Sequence, residues 1–181
     1  PEPMQDLRTG NVPLRSDVMV AAMERAIERY QEIAANGGWP TIPGSKSIRP
    51  EDDDERVPLL RRRLLISGEL QRKSASMSDF GFGDDLEPAI RRFQENNGLR
   101  VTGRVDKYTL QQLNVSAQSR LAQLRLNLHR LRDLLGQRVE DRYIVVNSAS
   151  FQLEAVERFE VEQRHRVIVG KPERQTPTVR A

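Results

Sequence analysis

The chain has 181 residues, 37% of them apolar, enough for one ordinary domain or two small ones with real cores, which excludes a disordered chain. Lys and Arg number 29 against 26 Asp and Glu, so the sequence is basic through a small excess of Arg, not a basic stripe, and nucleic acid is not an expected partner. The absence of Cys excludes a disulfide framework and a thiolate zinc site, and no apolar run approaches the length of a membrane span. The chain opens on Pro1 instead of Met and shows no signal-peptide core, which points to a trimmed start and to a piece of something longer.

Ser16 is placed to cap a first helix in which Met19, Met23, Ala26 and Tyr30 recur on one face, and Asn-Gly-Gly-Trp-Pro from Asn36 stops it. Residues 41–56 read as a linker ending in Glu-Asp-Asp-Asp-Glu. That run lacks the Gly and the alternating spacing of a calcium loop, and reads as carboxylates facing the positive end of a helix that starts near Val57. Leu60 and Leu64 face inward there, while Arg61, Arg62 and Arg63 take the other faces as a solvated cluster. A second helix is signalled by Asp84 or Asp85 as cap, Pro88 in the first turn, and a buried stripe of Leu86, Ala89, Ile90 and Phe93. Gly98 ends it in a left-handed conformation, Leu99 and Val101 point one way along a short extended piece, and Gly103 turns the chain. Asp106 then caps a third helix carrying Leu110 and Leu113, which closes a compact unit from Val57 to Leu113.

From Ser116, Leu121, Leu124, Leu128, Leu131 and Leu135 form a seam at spacings of three and four. It is too short for a coiled coil and fits a core helix. After Gly136 the period changes to two, with strands expected at 142–147, 151–156 and 159–169. The architecture expected is therefore mainly α with a β-rich carboxy-terminal part (α+β). Its parts are an amino-terminal helical scaffold and linker (1–50), a three-helix domain (51–115), a connecting helix (116–140) and the first strands of an incomplete β-domain (141–181). An unfinished sheet leaves an edge that invites self-association.

Ala89, Phe93, Gln94, Gly98, Leu99, Thr102, Gly103, Asp106, Thr109, Leu110 and Leu113 together resemble the type 1 peptidoglycan-binding domain, whose pattern joins an Ala-x-x-x-Phe-Gln helix to a Thr-Gly turn and a Thr-Leu-x-x-Leu helix. The resemblance implies binding to glycan strands and stem peptides in the cell envelope. Such a ligand offers hydroxyls, acetamido groups and carboxylates, so aromatic faces, amides and Arg should meet it. Phe80, Phe82, Arg92, Gln94, Asn97 and Tyr108 are the candidates. The stretches Arg-Tyr-Ile-Val-Val-Asn from Arg142, Phe-Gln-Leu-Glu-Ala-Val from Phe151 and Val-Ile-Val-Gly-Lys-Pro from Val167 resemble the opening of the L,D-transpeptidase catalytic domain. The region around Trp39 resembles what precedes the binding domain in the large periplasmic members.

That family cross-links stem peptides through a Cys acyl-enzyme helped by a His in a Ser-His-Gly-Cys segment, and none of this apparatus falls within residues 1–181. His129 and His165 lack neighbours at a spacing that makes a relay. No catalytic residue, metal site or cofactor is assigned. A binding module of a wall hydrolase or amidase is the alternative. A helix-turn-helix is disfavoured by the acids among the Arg residues.

Overall fold

The computed structural model describes residues 11–49, 53–71, 81–137, 140–170 and 173–174. Among them are α1 (Asp17–Ala35), α2 (Val57–Ser67), α3 (Gly83–Asn96), α4 (Lys107–Leu113) and α5 (Ala117–Gly136), followed by β1 (Arg142–Asn147), β2 (Gln152–Glu157) and β3 (Glu160–Arg166). The mainly α chain with a β-rich carboxy-terminal part is thus what the sequence leads one to expect. The chain divides into two compact units, 28–123 and 1–27 with 124–181, so that α1 and α5 each supply residues to both.

In the 28–123 unit, Leu60 and Leu64 of α2, Leu86, Ala89, Ile90 and Phe93 of α3, and Leu110 and Leu113 of α4 form one buried core. The expected stripes are all there. The supposed linker also enters the core. Ile42 and Ile48 are buried, and Ile48 exchanges backbone hydrogen bonds with Val105 at 2.9 and 3.0 Å. Two isolated Ile residues among Pro, Gly and Ser carry no periodicity, which is why this contribution does not show in the sequence.

The Arg run departs from expectation. Only Arg62 is exposed, while Arg61 and Arg63 are buried. Arg61 is held by both carboxylate oxygens of Asp85, at 2.9 and 2.8 Å, and by the Phe82 carbonyl at 2.9 Å. Asp85 therefore serves Arg61, and α3 begins at Gly83 with no side-chain cap. Asp84 and Asp85 still place negative charge in the first turn, where the helix dipole favours it. With that earlier start, Pro88 lies inside the helix and costs a backbone hydrogen bond.

Gly98 (φ 65°) and Gly103 (φ 73°) are both left-handed, as their positions demand. Any Cβ at Gly103 would also come within 2.7 Å of Glu87. Val101 is exposed and only Leu99 packs on the core. Asp106 caps α4 by accepting the Thr109 N–H at 2.8 Å.

In the other unit, Ser16 caps α1 through the Met19 N–H at 3.2 Å. The three strands form an antiparallel meander in the order β1-β2-β3. Phe151, Arg158 and Phe159 have positive φ and serve the turns, so β2 and β3 start one residue later than alternation indicated. Leu128 and Leu131 of α5, Val156 and Val161 are buried. Arg15, itself buried, donates to the carbonyls of Leu134, Leu135 and Gln137, satisfying acceptors that the end of α5 leaves open. Val161 N–H donates to Asn11 O, so the outer edge of β3 is met by the amino-terminal segment.

Candidate functional site

The five described candidate residues do not form one patch. Phe80 lies outside the described residues. Gln94 is fully buried, and all its hydrogen-bonding groups are occupied internally. Its Oε1 accepts the N–H groups of Thr102 and Gly103, both at 2.9 Å. Its Nε2 reaches Arg104 O at 2.8 Å, Thr109 Oγ1 at 3.0 Å and Thr102 Oγ1 at 3.2 Å. This one amide fastens α3 to the Thr-Gly turn and to α4, so Gln94 builds the fold and leaves nothing for a ligand.

Phe82 is also buried and forms one wall of a groove of about 450 Å³ with Gly83, Asp84, Glu87, Pro88 and Arg91. Across it, Arg91 and Glu87 pair at 2.8 Å on the surface. Tyr108 stands on the outer side of α4 with most of its surface in solvent.

Arg92 and Asn97 reach a common polar cluster. Arg92 donates through Nε and Nη2 to Glu69 O at 3.0 and 2.6 Å. Asn97 donates to Phe93 O at 2.8 Å and accepts from Arg120 Nη2 at 3.0 Å. Arg120 Nη2 also donates to Gln112 Oε1 at 2.7 Å. The Glu69 carboxylate accepts from the Ser67 hydroxyl, and Arg29 holds Ser67 O at 2.6 Å.

Beside them, the Arg63 guanidinium stacks 3.6 Å from the Trp39 ring centroid and donates to Leu113 O at 2.8 Å. Trp39 in turn meets Tyr30 edge-on at 5.9 Å and donates to Val115 O at 3.0 Å. Burial brings the Arg63 pKa down to about 10 and lowers that of Arg120, while it raises that of Tyr30; Glu69 adds to the Tyr30 shift and opposes the other two. Trp39, Arg63, Glu69 and Arg120 were not among the sequence candidates. The lone Trp and the three consecutive Arg were the available signals, and only folding shows that they converge.

Catalytic geometry is not found among the described residues. His129 does meet Asp133 one turn on, at 3.4 Å, which corrects the expectation that it has no carboxylate at a suitable spacing, yet both side chains stand more than half in solvent. His165 contacts Gln163 at 3.1 Å. No group of His, Asp and Glu suited to a metal ion occurs among the described residues, and none of the described helices is long and apolar enough to cross a membrane.

Residues 53–113 match the family described as a putative peptidoglycan binding domain. A type 1 peptidoglycan-binding domain is therefore present, and its boundaries enclose α2, α3, α4 and the Thr-Gly turn fastened by Gln94. Such a domain accords with a cell-wall or envelope location. A comparison with curated proteins finds no match.

Proposed function

We propose that this chain is the wall-binding and scaffold portion of a periplasmic L,D-transpeptidase, and that it binds peptidoglycan without itself catalysing cross-linking. The observation that carries this reading is the matched domain at 53–113 followed, in order, by the long helix α5 and an antiparallel meander. The strands of that meander fall where the sequence resembles the start of the transpeptidase fold. An acyl-enzyme mechanism needs a thiolate, and the 181 residues contain no Cys. Under this reading the nucleophile belongs to residues outside them, and this chain contributes affinity for the wall.

Purified sacculi test the binding half. The chain is expected to sediment with them in moderate salt and to pass through heparin unretained; failure to sediment at low salt overturns wall binding. A donor stem peptide tests the rest, since the pure chain should leave it intact. In the gene, the continuation of the reading frame should encode a Ser-His-Gly-Cys segment. An amidase or other hydrolase domain there would make the chain an accessory module of a wall hydrolase instead.

A further inference from the structure

Four Arg side chains and one acid share a polar cluster in the 28–123 unit, where Glu69 acts on the charges of Arg63 and Arg120. Arg29 is bound to Ser67 O, Arg92 to Glu69 O, Arg63 to Leu113 O, and Arg120 to the side-chain oxygens of Gln112 and Asn97. Every one of these acceptors is uncharged. Among the described residues none of the four Arg is ion-paired, and the acid in their midst, Glu69, is engaged by the Ser67 hydroxyl. Arg63 is 2% exposed, and its Nη1 has no hydrogen-bond partner.

The buried Arg63 guanidinium has lost its hydration and makes no direct ion pair; the Glu69 carboxylate offsets its charge through space, one acid among four cations. Arg63 and Arg120 lie close enough for Arg120 to oppose the charge on Arg63. A bound anion relieves both costs. Access is from solvent, because Arg92 is exposed while Arg29, Glu69 and Arg120 are half-buried. A planar guanidinium fork suits a carboxylate: the bonds of Arg92 to Glu69 O use Nε and Nη2 and leave its Nη1 edge for a paired grip, whereas Arg120 Nη2 is shared between Asn97 and Gln112 and exchanges one of them for the anion.

We propose that this cluster is a carboxylate-binding site that takes the terminal α-carboxylate of a peptidoglycan stem peptide, with Arg92 and Arg120 making the contacts and Arg63 supplying buried positive charge. The choice of a stem peptide over other carboxylates rests on the wall-binding reading above. Arg29, Tyr30, Trp39 and Arg120 lie outside the matched span of 53–113, so the site is completed by the flanking helices and is not contained in the domain alone.

The test is calorimetric titration of the full chain with a stem tetrapeptide bearing a free terminal carboxylate, and with the same peptide as its terminal amide. The free acid should bind at least about ten-fold more tightly. Arg120→Gln and, separately, the exposed Arg92→Gln should each erase most of that preference while thermal midpoints stay close to that of the parent chain. Glu69→Gln removes the resident negative charge and should tighten binding of the free acid, an effect that a merely structural Glu69 would not produce. Equal affinity for acid and amide overturns the proposal, as does indifference to both Arg variants. Inorganic phosphate or acetate binding as tightly as the peptide overturns the stem-peptide assignment. Sacculus sedimentation of the same variants separates the two readings: binding that survives in Arg92→Gln and Arg120→Gln rejects this site and keeps wall binding. Acid-selective peptide binding without sedimentation supports the site and rejects wall binding.

Discussion

Phe93 illustrates how a single residue joins the apolar core to a buried cation. Its ring is 2% exposed within the core, while the Arg63 guanidinium lies 5.5 Å from its centroid. Phe93→Ala is expected to cost about 3–5 kcal/mol in chemical denaturation. A cost under about 1 kcal/mol would mean that the core lies elsewhere. Asp54 shows a different single-residue effect, on pH dependence. Hydrogen bonds from the Arg56 side chain, above all, hold its carboxyl below the ordinary 3.8, against a smaller opposing effect of burial. Because the folded-state pKa is the lower one, the stabilisation is present above 3.8 and is lost as pH falls through the folded value. Asp54→Asn should therefore reduce stability near neutrality by up to about 1 kcal/mol and leave it unchanged in strong acid, as urea midpoints at the two conditions would show. A constant difference at both conditions would contradict the ion-pair account.

At the scale of elements, the segment 41–49 matters more than its composition indicates. Ile48 is completely buried and its backbone pairs with Val105, just ahead of the capped start of α4. Ile42 N–H is held by Asn114 Oδ1 at 2.9 Å, and Asn114 Nδ2 returns a bond to Ile42 O at 2.9 Å. These contacts tie the segment to both ends of α4. Ile48→Ala is expected to cost about 2–5 kcal/mol. By the same reasoning, a fragment of residues 57–113 should melt well below one of residues 28–123. Equal thermal midpoints would show that 41–49 is a passive linker after all.

At the scale of the whole molecule, the sheet has two unlike edges. The outer edge of β3 is met by Asn11, whereas β1 is the other edge strand and shows Ile144 and Val146 to solvent. Exposed strand edges flanked by apolar side chains recruit further strands. In solution the isolated chain is expected to associate through β1, with light scattering showing a mass above 20.7 kDa that rises with concentration. Ile144→Lys should return it to the monomer. A monomer in which the β1 amides are strongly protected from hydrogen exchange would overturn this expectation.

The sequence by itself determined the helices and the domain they build. The apolar stripe of Leu86, Ala89, Ile90 and Phe93, the Asp106 cap and the Gly98 and Gly103 turns are local signals, written in spacings of three and four or in backbone freedom that Gly alone supplies. The three strands were legible for the same reason, through alternation. Only the tertiary structure decided the fates of the polar residues. Gln94 looked like a surface amide and became a buried clamp; Arg61 and Arg63 looked solvated and went inside. A polar side chain can be buried when partners distant in sequence satisfy it, here Asp85 for Arg61, Trp39 and Leu113 for Arg63, and the Thr-Gly turn for Gln94. Such partnerships leave no periodic trace. The same holds for the polar cluster that Arg29, Arg63, Arg92 and Arg120 share with Ser67 and Glu69, which exists only once α1, α2, α3 and α5 are folded.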